Sequence, residues 1–251
     1  MLISLLLSGV VVFLSHALEA VTGFGSAVLA MPFITALLGI RQGVIVVTIL
    51  AWSLALYISI SKRQHINFRQ FGIIAGFMFL GLPMGMFLFR NFDVFILRRI
   101  LAIFIIVVSV RQLFLRLIFK KINIEAPKGI KIFPYYLLLI CGGIIHGIFS
   151  TGGPLVVLYA SRTIPDKSQF RATLSLLWAV LNTVIISIYI IEGSINREIA
   201  GNVGILLPFI VIGIIIGEKL HHKLDERFFS IIVFSILFFA GCFMVFNDLL
   251  Q

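Results

Sequence analysis

Charge is what this chain has least of. Of 251 residues, 12% are Asp, Glu, Lys or Arg, about half the roughly 25% of an ordinary soluble domain. Acids are scarcer still, with 10 Asp and Glu against 20 Lys and Arg. Cysteine is limited to Cys141 and Cys242, which excludes a disulfide framework and CxxC redox or zinc sites. Both lie in apolar runs and read as small, inert core residues. There is no HExxH, GxSxG or Walker loop and no paired catalytic carboxylate. No polar stretch is long enough for an ATP-hydrolysing domain. These absences point away from an enzyme, and nothing calls for a cofactor or a metal. What remains is 61% hydrophobic with a mean hydropathy of +1.16.

A water-soluble fold has no means of hiding that much apolar surface. A transmembrane barrel would need alternating segments of about ten residues, whereas these runs are long and continuously apolar. The fold class expected is all-α, a polytopic integral membrane protein. The runs are 2–20, 26–39, 43–61, 70–89, 95–118, 133–149, 154–161, 172–191, 199–217 and 228–247. Crossing a hydrocarbon core takes about 20 helical residues, so the two short runs, 26–39 and 154–161, read as half-helices, re-entrant arms or strongly snorkelled spans. The first run lacks a basic flank and a clear cleavage site, and is expected to stay as a helix.

The net charge of +10 sits between the apolar runs, so it reads as a topology signal and not as a nucleic-acid-binding face. The partner implied is the lipid bilayer. The linker near 116–131 carries Arg116, Lys120, Lys121, Lys128 and Lys131 against Glu125, which places it in the cytoplasm by the positive-inside rule. If each short run returns the chain to its starting side, Lys62/Arg63/Arg69, Arg162/Lys167/Arg171 and Lys219/Lys223/Arg227 join it there and both termini lie outside. Arg90, Arg98 and Arg99 then fall outside, against the rule. If each broken pair made one crossing, each half would have four spans and both termini would lie inside. The first arrangement fits the charges better.

The chain also repeats itself. Trp52 recurs as Trp178, Ile66-Asn67 as Ile195-Asn196, Gly81-x3-Gly85 as Gly213-x3-Gly217 and Asp93 as Asp225, in one order and at nearly constant spacing. An internal duplication follows, with halves 1–122 and 123–251 forming one membrane domain. The first arrangement would make them inverted repeats, a common transporter device. The Gly81/Gly85 and Gly213/Gly217 pairs are best explained as close helix packing.

Each half carries one glycine-rich interruption: Thr22-Gly23-Phe24-Gly25-Ser26 and Ser150-Thr151-Gly152-Gly153-Pro154. Hydrocarbon offers no water to open backbone, so a broken helix at membrane depth must line a protein-walled or wet cavity. A matched pair of breaks marks a transporter's binding site. The helix N-termini they create attract anions, and the hydroxyls of Thr22, Ser26, Ser150 and Thr151 add donors. Each break follows a run with one histidine, His16 or His146. Charge at depth is costly and faces a cavity or a partner. His16 and Glu19 share a helix face and, with His146, fit a proton-coupling role; the plainer alternative is that all three bond to water or loops near an interface.

Arg171 opens a long span and suits an oxyanion, or snorkels as an ordinary topology residue. Arg41 has the same two readings. Asn182 and Thr183 lie mid-span and either bind substrate or cross-link helices. Trp52 and Trp178 read chiefly as packing.

The patterns Gly23-Phe24-Gly25-Ser26…Pro32 and Gly142-Gly143-x2-His146-Gly147-Ile148-Phe149-Ser150-Thr151-Gly152-Gly153-Pro154 resemble the duplicated glycine motifs of the sulfite exporter TauE/SafE family, also called the toluene-sulfonate uptake permease family. The resemblance implies a prokaryotic inner-membrane carrier of small anions (sulfite, sulfonates, sulfoacetate or related organosulfur compounds) with about eight spans. Its motif positions fall on Thr22, Gly23, Gly25, Pro32, Thr151, Gly152, Gly153 and Pro154. The function expected is a secondary-active transporter, not an enzyme, that holds an oxyanion between the two breaks and works by alternating access with a coupled proton. The alternatives are an intramembrane metal-dependent enzyme using His16, Glu19 and His146, and an anion channel. A homodimer is among the oligomeric states left open.

Overall fold

The computed structural model describes residues 2–22, 25–118, 132–220 and 226–249. Among them every regular element is helical. The helices are α1 (Leu2–Thr22), α2 (Ser26–Leu38), α3 (Ile40–Ser61), α4 (Phe68–Asn91), α5 (Val94–Ile118), α6 (Phe133–Phe149), α7 (Gly153–Thr163), α8 (Lys167–Ile191), α9 (Arg197–Leu220) and α10 (Glu226–Leu249). They fall on the ten apolar runs in order. By length and composition, α3, α4, α8 and α9 over Arg197–Gly217 can each cross a membrane. Most of the basic linker, Lys223, Asp225 and the boundary between the halves lie outside the described residues.

Local signals set several helix starts. The recurring Ile-Asn is a recurring N-cap: Asn67 Oδ1 accepts from Gln70 N at 3.1 Å and Asn196 Oδ1 from Ile199 N at 2.8 Å, each satisfying a donor the first turn leaves open. Asp166 does the same for α8, accepting from Gln169 N at 2.8 Å. Pro134 and Pro154 stand in the first turns of α6 and α7, where a missing N–H costs nothing.

The glycine pairs pack helices, as expected. A Cβ at Gly81 or Gly85 of α4 would run into the carbonyls of Ile140 and Ile144 of α6, and one at Gly213 or Gly217 of α9 into those of Phe13 and Ala17 of α1. From α6, Gly143 and Gly147 press on the carbonyls of Met78 and Leu82 in return. Residue numbers rise together across both seams, so α4 runs parallel to α6, and α9 to α1.

Side-chain contacts then fix the ends. At one end, Arg41 at the start of α3 donates to the carbonyls of Phe89, Arg90 and Phe92 at the end of α4. There too Gln42 donates to Glu198 of α9 and Arg90 pairs with Glu192 of α8. At the other end, Asn67 N donates to Thr173 Oγ1 at the start of α8. Tyr159 near the end of α7 donates to Gln70 at the start of α4, and Arg162 lies 4.8 Å over the Tyr135 ring of α6. So α6 goes in from this second end and α7 comes back to it. The first pair mirrors this: α1 goes in beside α9 from the first end, and α2 returns there, where Gly43 of α3 packs on Thr35. The short runs are the returning arms of two helical hairpins that enter the bundle from opposite ends.

Lys62, Arg63, Arg69, Arg162, Lys167 and Arg171 collect at the second end; Arg41, Arg90, Arg98, Arg99 and Arg197 lie at the first. The main helix pairings are α4 with α6, α1 with α9, α5 with α10 and α3 with α8. Exchanging α1–α5 for α6–α10 turns this set into itself. One sequence expectation fails: Cys141 is exposed and Cys242 half-buried, so neither is a core residue. The buried residues of α6 on either side of Cys141 are Leu139 and then Gly142 and Gly143, the glycines against α7 and α4.

Candidate functional site

The tips of the two hairpins meet inside the molecule. Between them lies a cavity of about 30 Å³ lined by Glu19, Gly25, Ser26, Ala27, Val28, Ala51, His146, Ser150, Thr151, Gly153, Trp178 and Asn182. It draws on both breaks and on the crossing helices α3 and α8. A water needs roughly 10–15 Å³ on this measure, so the cavity has room for water but not yet for a four- or five-atom oxyanion.

At the first tip, Gly25 takes φ 106°, a left-handed conformation that favours glycine, and its carbonyl accepts from Leu29 N. The chain then starts α2 at Ser26. The Ser26 N–H donates to Glu19 Oε2 at 2.9 Å, so a carboxylate of the same chain sits on the helix N-terminus that was expected to receive an anion. Glu19 is 4% exposed and lies within electrostatic reach of Arg171. The Ser26 hydroxyl is fully buried beside the same carboxyl and bonds to no other group.

At the second tip, Ser150 ends α6 with φ 54° while its N–H donates to the His146 carbonyl. Its hydroxyl is 2.6 Å from Thr48 Oγ1. The single Thr48 proton goes to the Val44 carbonyl, 2.7 Å away, so Ser150 must be the donor of the pair. The expectation that Ser150 offers a free donor is thereby corrected. Thr151 is the residue that does: its Oγ1 is buried and lacks a partner. Gly152 is a packing residue in place of a lining one, since a Cβ there would strike the Gly142 carbonyl and come within 2.9 Å of His146 Cβ. Gly153 lines the cavity, and Pro154 starts α7 without being among the lining residues.

Between the tips, His146 stacks on Trp178 at 5.2 Å and its Nε2 lies 3.0 Å from Asn182 Oδ1. With Nε2–H as donor, the buried Nδ1 is left without a partner. Asn182 thus belongs to the site, and Trp178 walls it. Thr183, its neighbour, cross-links helices: it accepts from Trp52 Nε1 at 2.9 Å and donates to the Ala179 carbonyl.

The remaining candidates fall elsewhere. His16 is buried behind the first tip, with Nδ1 2.8 Å from the Val12 carbonyl, and is not among the cavity's lining residues. No bond joins it to Glu19 among the described contacts, so the expected His16–Glu19 pair is not formed. Arg171, half-buried at the second end, stands outside the lining residues. Arg41 caps the last carbonyls of α4, a favourable place for a cation. Gly23 and Phe24 lie outside the described residues, as does the Thr22 side chain. Among the described residues no three His, Cys, Asp or Glu side chains gather where a metal could be held.

A model of the sulfite exporter TauE/SafE family matches residues 8–244. The chain belongs to that family. It is a multi-pass membrane protein of a transporter family, which agrees with the absence of any catalytic motif. No curated protein and no solved structure matches it. For this TauE/SafE chain, sequence reasoning missed Ala27, Val28 and Ala51 of the lining, and Thr48 behind it. A lone hydroxyl in the middle of an apolar run could have flagged Thr48; nothing in the sequence distinguishes the other three from packing residues.

Proposed function

We propose that the protein carries a small sulfur oxyanion, sulfite or a sulfonate, across a prokaryotic inner membrane as a secondary-active transporter. The observation that carries this reading is the cavity shared by both hairpin tips, with the unpartnered Thr151 hydroxyl and the Ser26 hydroxyl, whose neighbour is Glu19, on its wall. Buried donors without partners are costly and so call for a ligand or ordered water. An oxyanion accepting from both, at the ends of α2 and α7, would satisfy them and meet the positive ends of two helix dipoles. Two hairpins entering from opposite ends suit alternating access, since rocking one half on the other would open the tips to each side in turn. The present cavity, too small for the anion, is then a closed state. The basic second end is cytoplasmic on this reading.

Flux of sulfite into vesicles holding the purified protein tests it. Saturable uptake, weakened in Thr151→Val while Trp52→Phe on the α3–α8 cross-link keeps it, is the expected result. Flux that rises without saturation would assign a channel. Absence of flux for sulfite, sulfate and sulfonates alike would sink the reading.

A further inference from the structure

Glu19 is a carboxylate where a bound anion should be. It lines the cavity, and the donor it holds, Ser26 N–H, is the first N–H of α2. An ionised Glu19 and an anionic substrate in one buried cavity would repel each other strongly, because the low dielectric screens them poorly. Both would also want the same donor. We propose that Glu19 is a tethered occupant of the substrate site, displaced from the α2 N-terminus when an anion binds, and that its displacement requires it to take up a proton. This rests on the anion-carrier reading above and adds to it the identity of the coupling group.

The exchange balances simply. One proton passes from water to a Glu19 carboxylate oxygen, the Ser26 N–H···Oε2 bond breaks, and the anion accepts from Ser26 N–H in its place. The Ser26 and Thr151 hydroxyls complete the anion's shell. A monoanion then enters with one proton, and the filled site carries no added charge. The α2 N-terminus does not stand alone as the ligand signal: the Thr151 hydroxyl is more than nine-tenths buried, without a partner, and on the wall of the same cavity.

The other titratable and charged groups around Glu19 assign it this task by their positions. On α1 itself His16 is bonded to the Val12 carbonyl and off the cavity wall. From α8 comes Arg171, which acts on Glu19 electrostatically. Across the cavity α6 brings His146, tied to Asn182. The lining residues of α2, α3 and α7 are apolar, hydroxyl-bearing or glycine. Against α1, α9 sets Gly213 and Gly217, and its Lys219 is exposed. The Glu218 side chain of α9 lies outside the described residues; among those described, Glu19 alone both titrates and holds the donor.

The test is anion-induced thermal stabilisation of the purified full chain, read as apparent affinity from about pH 5.5 to 7.5. Methanesulfonate is one probe, because it stays a monoanion throughout, and sulfite and sulfate are the others. In the wild type, affinity for methanesulfonate should fall about tenfold per pH unit above the point where Glu19 ionises, as one linked proton requires. Glu19→Gln, which cannot ionise, should bind at least as tightly at the acidic end and show no such fall. His146→Gln should bind more weakly at all pH values but keep the slope. Anion binding in Glu19→Gln with the wild-type slope, or a slope lost in His146→Gln instead, overturns the proposal and leaves the carrier reading standing. No stabilisation of the wild type or of Glu19→Gln by any of the three anions removes the anion site itself, and the proposal with it.

Discussion

The two broken hairpins share a plan and differ in what guards the tip. In each, a long helix carrying a histidine runs inward, breaks at glycine, and returns as a short helix. At the second tip the break is held by backbone and packing: Ser150 in a left-handed turn, Gly152 against the Gly142 carbonyl, Pro154 starting α7. At the first tip the break turns on Gly25, has open space around it, and is closed by Glu19 on the Ser26 N–H. Aligning His16 with His146 sets Glu19 against Phe149, an apolar residue. Both hairpins pack on their neighbours, but only the first has a carboxyl on the start of its returning helix, so on the proposal above only that tip has a group that an anion can displace.

The largest way to break that comparison is at Gly152. A leucine there meets backbone and not the end of a flexible side chain, so Gly152→Leu should unfold the second hairpin, with loss of transport and of monodisperse protein in detergent. A well-folded Gly152→Leu would mean the second tip is not held by packing. Next comes Gly25→Ala. Space is available, but the left-handed backbone costs about 1–3 kcal/mol, so the melting midpoint should drop while the protein still folds; an unchanged midpoint would deny the turn at Gly25.

Thr151→Val should leave the midpoint nearly alone and weaken anion affinity several-fold, on the scale of one hydrogen bond of about 0.5–1.5 kcal/mol. Equal affinity would remove Thr151 from the site. Smallest of all is Gly153→Ala. The new methyl would touch Trp178 Cζ2 at an ordinary 3.7 Å, so stability should change by less than about 0.5 kcal/mol. The contrast between adjacent glycines, one intolerant and one tolerant, is the sharpest form of the claim that Gly152 packs while Gly153 lines.

Much of the frame was legible in the sequence because helix-forming apolar runs, Asn N-caps and glycine seams are local signals. The ten runs, the two breaks and the packing role of Gly81/Gly85 and Gly213/Gly217 are such cases. The site was legible in part: Glu19, Ser26, His146, Ser150, Thr151, Gly153 and Asn182 do line one cavity. The roles within it were not, because they depend on contacts between helices. Only the fold tells that Ser150 spends its proton on Thr48, that Arg41 caps α4 instead of meeting an anion, that His16 and Glu19 part company on one helix face, and that Glu19 reaches forward to α2. The exposure of Cys141 escaped for the same reason, since an apolar run does not say which side faces its neighbour.

The central claim is that an oxyanion sits between the two tips, and locating one directly is its strictest test. Crystals of the wild-type protein grown with selenate at acidic pH would show the anion by the anomalous signal of selenium. The account expects a peak within hydrogen-bonding distance of Thr151 Oγ1 and the Ser26 N–H, with the Glu19 carboxylate swung off α2. A peak only elsewhere, for example beside Arg98 in the cavity it shares with Thr35 and Phe243, with Glu19 still on Ser26, would contradict it.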